Sequence, residues 1–202
     1  MGTVYGVILN DRASIEKYKG EPKAPVLYIK PANTLRPSGS TVVLPPGETR
    51  VEIGATVGVL IGREASRLMA AGALGVVAGY AIVADLSLPH ASYYRPAIRE
   101  KCFDGACPAG SPVAPDVAGN IEELALDIAI DGALRDRRSM GNLARGVAQL
   151  LADVTGFMTL YRGDMLLTGV AWQAVQAEAG SRVVISSQRL GRLEFTLERS
   201  QS

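Results

Sequence analysis

Short runs of β-branched and aromatic residues, separated by Pro, Gly and Asn, recur along this chain of 202 residues and constrain its fold more than any other feature. Runs of roughly four to eight such residues between turn-forming residues are typical of β-strands. The pattern predicts strands at residues 4–9, 26–30, 41–44, 56–62, 77–86, 124–130, 165–168, 182–186 and 193–197. Asp131-Gly132 is typical of a tight hairpin turn that leads into residues 133–135.

Helical patterns are fewer. Residues 142–157 carry apolar side chains at spacings of three and four, which predicts an amphipathic helix. Residues 65–75, rich in Ala, Leu and Met, predict a second, shorter helix. The polar, lysine-rich residues 12–23 form a solvated helix or a loop. We therefore expect a β-rich α+β fold in a single domain over residues 1–202.

Composition excludes several classes of function. Apolar content of 48% and charged content of 20% are ordinary for a globular protein. A net charge of +1 provides no global field for nucleic acid or anionic lipid, and three Phe and one Trp leave little material for stacking on bases. The first ten residues lack a basic n-region, and no apolar run approaches the roughly 20 residues that cross a bilayer. We expect a cytoplasmic protein without nucleic-acid or membrane partners.

Five motifs occur in a fixed order. They are Pro-Val-Leu-Tyr-Ile-Lys-Pro at residues 25–31, Thr-Val-Gly-Val-Leu-Ile-Gly-Arg at 56–63, Gly-Tyr-Ala-Ile-Val-Ala-Asp-Leu-Ser at 79–87, Lys-Cys-Phe-Asp-Gly-Ala-Cys-Pro-Ala-Gly at 101–110, and Phe-Met-Thr-Leu with Gly-Asp-Met-Leu-Leu-Thr-Gly at 157–169. Together they resemble the fumarylacetoacetate hydrolase family over nearly the whole chain. The resemblance implies a mixed β-roll of the family's C-terminal-domain type, usually assembled as a dimer.

The resemblance also implies a metal site, of which part is missing. In the family, a Glu-x-Glu pair and an aspartate hold Mg²⁺ or Mn²⁺. Asp85 matches the aspartate, but Gly54 and Thr56 stand where the glutamates belong. Hard divalent cations require several oxygen ligands, so we expect metal binding in this chain to be weak or absent. Glu52 is on the same face of a strand as Gly54 and is an alternative, displaced ligand.

The resemblance assigns further site residues, each with a structural alternative. Lys101 and Asp85 are the catalytic candidates: Lys101 to neutralise an enolate or a carboxylate, and Asp85 as the one remaining metal ligand. Asp85 pairing with a basic residue and Lys101 exposed in a loop are the alternatives. Substrate-binding candidates are Arg95, Tyr94, Thr168 and Gly169, with Val170 in place of a further family threonine. His90 is either a general base or a loop residue, and we expect Cys102 and Cys107 to be reduced thiols.

Within the family, residues 84–102 resemble the amino-terminal half of the bifunctional isomerase/decarboxylases of 4-hydroxyphenylacetate degradation. That half commonly has Ser-Gly-Ala-Thr in place of the glutamate pair, and Gly54-Ala-Thr56 follows it. The resemblance implies a subunit that decarboxylates 5-oxopent-3-ene-1,2,5-tricarboxylate or isomerises 2-hydroxyhepta-2,4-diene-1,7-dioate. The partners are then a small di- or tricarboxylate and a second subunit, in a homodimer or a heteromer. Alternatives are a non-catalytic partner of a homologous catalytic subunit, or a separate hydrolase or oxaloacetate decarboxylase.

Overall fold

The computed structural model describes residues 2–19, 23–90, 97–171 and 174–200. Within them the chain forms thirteen strands and four short α-helices. In chain order these are β1 (Val4–Ile8), α1 (Arg12–Tyr18), β2 (Val26–Lys30), β3 (Leu35–Pro37), β4 (Ser40–Leu44), β5 (Arg50–Ile61), β6 (Val77–Ser87), α2 (Ile98–Lys101), β7 (Cys107–Ala109), α3 (Pro115–Ala118), β8 (Ala125–Ile130), β9 (Ala133–Ser139), α4 (Val147–Thr155), β10 (Met165–Leu167), β11 (Gln176–Glu178), β12 (Arg182–Ser187) and β13 (Gly191–Arg199).

The strands form two mixed sheets. The larger sheet has the order β2-β1-β10-β5-β6-β7-β3, with β11 added to the free part of β5. The smaller sheet has the order β4-β13-β12-β8-β9. Most neighbours are antiparallel, but β1–β10, β3–β7 and β13–β4 are parallel. The expected β-rich α+β fold, a mixed β-roll, is confirmed.

The long antiparallel strands β5 and β6 form a pair that is buried on both faces. One face packs into the main core between the two sheets, with Val57 of β5 and Ile82 of β6 among its members. The opposite face carries a smaller cluster that includes Val83 of β6 and Met165 of β10. Because successive side chains of a strand alternate between faces, Gly54, Thr56 and Asp85 lie on this second face. The candidate site is therefore inside the curl of the larger sheet, away from the main core.

The predicted strands are confirmed, and three short strands, β3, β7 and β11, were not predicted. β5 begins at Arg50, six residues before its prediction, because its first residues pair with β11 and with the end of β6. The hairpin between β8 and β9 is also confirmed. Asp131 and Gly132 both have positive φ, 52° and 81°, as a type I′ turn requires.

The predicted helix at residues 65–75 is wrong. Ala65 pairs with Leu160 through two backbone hydrogen bonds of 2.9 Å, so it belongs to a bridge between loops. Arg67 and Gly72 have positive φ, which a right-handed α-helix does not allow, although the residues between them favour a helix by composition. Only a single 3-10 turn, Ala73–Val76, remains.

The second predicted helix, at 142–157, is shorter than predicted. It forms as α4 from Val147 to Thr155, with Gly146 as its N-cap. The preceding residues are held by Asn10, whose backbone carbonyl accepts from the amide of Ala144 and whose side chain accepts from the amide of Arg145. Of the lysine-rich residues 12–23, α1 takes Arg12–Tyr18. Among the described residues, none of the helices has both the length and the apolar character to cross a membrane.

Candidate functional site

Asp85 lies at the centre of a charged cluster inside the larger sheet. It is 1% exposed and is directly opposite Gly54 in the β5–β6 ladder. Tyr28 and Lys30 reach it from β2, although β1, β10 and β5 separate β2 from β6 along the sheet. The curl of the sheet brings these strands face to face. Gly6 assists, because the Tyr28 ring occupies the position that a Cβ at residue 6 would take.

Both carboxylate oxygens of Asp85 are engaged. Oδ1 is 2.6 Å from the Lys30 ammonium, and Oδ2 accepts a hydrogen bond of 2.9 Å from the Lys101 ammonium. The Tyr28 hydroxyl donates a second, short hydrogen bond to Oδ2. We call Tyr28, Lys30, Asp85 and Lys101 the lysine–aspartate centre. Within it, the Asp85 carboxylate forms ion pairs with two lysines and accepts a hydrogen bond from a tyrosine.

Lys30 is also held by the backbone. Its ammonium donates to the carbonyl oxygens of Leu86 at 2.9 Å, Lys101 at 2.7 Å and Ala106 at 2.9 Å. These three acceptors take up the three protons of the ammonium, so its contact with Asp85 is an ion pair. The Lys30 side chain is fully buried. It ties β2, β6 and the loop before β7 together.

The electrostatics of the centre keep Asp85 ionised. Burial by itself would raise the pKa of Asp85, but the charges of Lys101 and Lys30, the close contact with Lys30 and the hydrogen bond from Tyr28 outweigh it and lower the pKa. Burial and the neighbouring carboxylate raise the pKa of Tyr28 well above its usual value, so the phenol remains a donor. The Lys101 ammonium lies 5.0 Å from the centroid of the Tyr28 ring, and its side chain is 14% exposed.

The residues around Asp85 do not fit a divalent cation. A Cβ at residue 54 would lie 2.6 Å from the carbonyl oxygen of Asp85 and 2.7 Å from a methyl carbon of Val170, so the space for a longer side chain is filled. The Thr56 hydroxyl is committed to the carbonyl of Gly169 at 2.6 Å. In the part of the chain that the structure describes, no group of three His, Cys, Asp or Glu side chains is placed to hold a metal.

The structure places the other predicted site residues as follows. Thr168 is buried with its hydroxyl 3.2 Å from that of Thr56, and Gly169 has φ 108° and packs on Asn10. Arg95 and Tyr94 fall outside the described residues. The carboxylate of Glu52 forms no hydrogen bond or ion pair with any described residue. Its role as a displaced ligand stays a prediction.

The histidine and the two cysteines lie at the edge of this region. His90 is exposed, with Nδ1 at 3.1 Å from the carbonyl oxygen of Leu88. Both cysteines are free thiols. Burial raises the pKa of Cys107 to about 12, so its thiolate is scarce at neutral pH.

The sequence patterns missed three polar residues. Tyr28 and Lys30 lie in the family motif at residues 25–31, which was the available signal, but no site role was predicted for either residue. Arg138 of β9 is 5% exposed and reaches from the smaller sheet to the larger one, where Nη1 donates to the carbonyl of Ala55. Its sequence neighbourhood, Arg135-Asp136-Arg137-Arg138, is charged, which is typical of an exposed strand, so its burial was not predicted.

Comparisons with known proteins agree with this architecture. The model of the family described as Fumarylacetoacetate (FAA) hydrolase C-terminal matches residues 3–198. The chain belongs to the fumarylacetoacetate hydrolase family. It is 37% identical to the 4-hydroxyphenylacetate degradation bifunctional isomerase/decarboxylase of Escherichia coli, with 96% of this chain and 46% of that protein covered. The chain thus spans about half the length of this curated relative.

Two solved structures have the same fold over nearly the whole chain. One is 5-carboxymethyl-2-hydroxymuconate delta-isomerase from Mycobacterium smegmatis, with a TM-score of 0.87 and 26% identity over 99% of this chain and 80% of that one. The other is fumarylpyruvate hydrolase from Pseudomonas aeruginosa in complex with Mn²⁺ and pyruvate, with a TM-score of 0.87 and 25% identity over 99% of this chain and 91% of that one. Divalent metal use is therefore present in the family.

Proposed function

We propose that this chain is one subunit of an isomerase/decarboxylase of 4-hydroxyphenylacetate catabolism. Its substrates are 5-oxopent-3-ene-1,2,5-tricarboxylate and 2-hydroxyhepta-2,4-diene-1,7-dioate, and its partner is a homologous subunit that has the Glu-x-Glu pair. The similarity to a bifunctional enzyme of about twice its length supports the proposal. In such an assembly, a divalent cation belongs to the partner.

The closed state of Asp85 is the observation that carries this division of labour. Two lysines and a tyrosine already occupy its oxygens, and Val170 with the backbone of β6 fills the space beside Gly54. A cation at this place would meet the two ammonium groups at close range. We therefore assign the metal-dependent chemistry to the homologous subunit.

What this chain can contribute is confined to its own side chains. Loss of CO₂ from a 2-oxo acid leaves an enolate that requires a nearby positive charge. Of the two lysines in the lysine–aspartate centre, Lys101 is the one that contacts solvent, but its charge is already shared with Asp85. This sharing favours the alternative in which the subunit supports its partner without touching the reacting atoms.

The decisive experiment measures CO₂ release and diene isomerisation with each subunit alone and with both mixed. This chain alone should show no turnover above background, with or without added Mn²⁺. A partner variant with both metal-binding glutamates replaced by alanine is the matched control, and its mixture should be inactive. Turnover by this chain alone in EDTA would overturn the proposal.

A variant of the present chain separates support from catalysis. In the mixed assembly, Lys101→Met should leave the rate within about threefold if the subunit only supports its partner, since a directly acting charge is worth about tenfold or more. Lys23→Met, which changes an exposed lysine, is the control. A loss of tenfold or more in Lys101→Met alone would assign Lys101 a catalytic role.

A further inference from the structure

Arg138 is a buried cation with most of its hydrogen bonds unmade. Its side chain is enclosed between the two sheets, and Nη1 donates to the carbonyl of Ala55. Nε and Nη2 are buried and have no hydrogen-bond partner in the described part of the chain. These two nitrogens form one edge of the planar guanidinium, so a complete pair of parallel donors is free.

An arrangement of this kind is costly without a ligand. Buried donors are nearly always paired in folded proteins, because each loses its water without a replacement. Burial lowers the pKa of Arg138 to about 10, which leaves the group charged at neutral pH. The free edge therefore carries both a charge and two directed donors.

The acidic groups near Arg138 do not satisfy it. Asp11, Asp136 and Tyr28 are close enough to raise its pKa, but none of them forms an ion pair or a hydrogen bond with it. Asp11 caps α1 by accepting from the amide of Ser14. Asp136 accepts from the amide of Arg137. None of these three groups therefore accepts a hydrogen bond from the Nε/Nη2 edge.

Position links Arg138 to the candidate site. Ala55, its single acceptor, lies between Gly54 and Thr56, the two residues that replace the family's glutamates. Tyr28, one of the groups that raise its pKa, is also a member of the lysine–aspartate centre. Arg138 reaches β5 from the smaller sheet, whereas Lys30 and Lys101 contact Asp85 inside the curl of the larger sheet.

We propose that the Nε/Nη2 edge of Arg138 binds the carboxylate of a small organic acid side-on, with both oxygens accepting and without a metal ion. Two parallel N–H donors match the spacing of the two oxygens of a carboxylate, whereas a spherical ion can use the pair only poorly. The choice of an organic acid rests on the proposed function, while the free donor edge does not depend on it.

The test uses the isolated chain in EDTA with pyruvate and succinate as probes. Calorimetry and thermal unfolding measure binding, and the Nε–H signal of Arg138 in ¹⁵N-labelled protein reports the contact directly. Pyruvamide supplies the same shape without the charge, and chloride at equal ionic strength supplies charge without a pair of oxygens. We expect saturable binding of the carboxylates, a shift of the Arg138 signal, and neither effect with pyruvamide or chloride.

Arg138→Met should weaken carboxylate binding about ten- to a hundredfold, since it removes two hydrogen bonds to a charged group. Arg138→Lys keeps the charge but lacks the paired donors, and it should also bind more weakly. The matched control is Arg137→Met, the neighbouring residue on β9, whose side chain is 67% exposed; its binding should equal that of the wild type.

Stability without ligand separates binding from a structural role. The removal of two unpaired buried nitrogens offsets the loss of the hydrogen bond to Ala55, so Arg138→Met should unfold within about 3 °C of the wild type in the absence of acid. A large loss of Tm without acid would show a structural role and overturn the proposal. Equal carboxylate binding in wild type and Arg138→Met, equal binding of chloride and pyruvate, or no binding by the wild type would do the same. None of these outcomes depends on turnover by a mixed assembly.

Discussion

Asp85 and Arg138 are two buried charged residues close to the same segment of β5, but they differ in how many of their polar atoms have a partner. Asp85 has a cation or a donor on each oxygen, and the Lys30 ammonium opposite it has all three protons bound. Arg138 has one acceptor and two nitrogens with none among the described residues. Their degree of burial is nearly the same, at 1% and 5% exposure, so burial does not distinguish them.

The difference indicates what each group is for. A buried ionic cluster whose members satisfy one another requires no further ligand, and its loss affects folding. A buried cation with an unused pair of donors is complete only when something binds. We therefore infer that the aspartate marked by the family motif has a structural role in this chain, and that Arg138, which no motif marks, is the better candidate for binding.

Asp85→Asn should produce the largest effect. It leaves the Lys30 and Lys101 ammonium groups together without a counter-charge, and breaking a buried pair on one side costs about 3–5 kcal/mol. Arg138→Met should change the free energy of unfolding by no more than about 1 kcal/mol, because the loss of its hydrogen bond to the carbonyl of Ala55 is offset by the removal of two unpaired buried nitrogens. Urea denaturation of both variants measures the two values.

Asp127→Asn is the control for this comparison. Asp127 pairs with Arg137 at 3.1 Å, but the two side chains are 37% and 67% exposed. Exposed pairs of this kind contribute roughly 0–1 kcal/mol. If Asp85→Asn costs no more than Asp127→Asn, the lysine–aspartate centre is not structural and the contrast with Arg138 fails.

Local patterns were sufficient for most of the strands. Alternation and turn residues located β1, β2, β4, β6 and β8 closely, because each strand is bounded by residues that favour a turn. Residues 65–75 were assigned to a helix because composition favours it there. The pairing of Ala65 with Leu160 and the hydrogen bond from the amide of Arg67 to the carbonyl of Thr155 depend on distant parts of the chain.

The candidate site was predictable only in part, for the same reason. The family motifs located Asp85, Lys101, Thr168 and Gly169, but they gave no indication that Tyr28 and Lys30 contact Asp85. Tyr28 is 57 residues from Asp85 in sequence, and Arg138 is 83 residues from Ala55. These contacts depend on the curl of the larger sheet and on the packing of one sheet against the other. No short motif carries that information.

Gly54→Ala tests whether the space beside Asp85 is closed, and we expect the next largest effect. Its Cβ would lie 2.6 Å from a backbone oxygen, which cannot move without disturbing the β5–β6 ladder. Overpacking of this kind costs about 1–3 kcal/mol. Adding Val170→Ala should recover only part of the loss, because the contact with the backbone remains.

The control for this substitution is Gly75→Ala. A Cβ at Gly75 would meet only the Arg63 guanidinium, at 3.6 Å. Its unfolding free energy should stay within about 0.5 kcal/mol of the wild type. If Gly54→Ala is equally well tolerated, there is room beside Asp85 and a longer, metal-binding side chain is compatible with the fold.

The pH dependence of stability provides the smallest and most specific distinction between the two charges. Because the pKa of Asp85 is lowered in the folded state from its ordinary 3.8, its stabilising contribution is complete above that value and is lost as the pH falls below it. One proton taken up on unfolding corresponds to a slope of about 1.4 kcal/mol per pH unit. The difference in stability between wild type and Asp85→Asn should therefore shrink at this rate below pH 3.8.

Arg138 carries its charge throughout this range, so Arg138→Met should keep the acid slope of the wild type. If Arg138→Met changes the slope and Asp85→Asn does not, the ionised carboxylate is coupled to Arg138 and the separation between the closed centre and the open arginine is wrong.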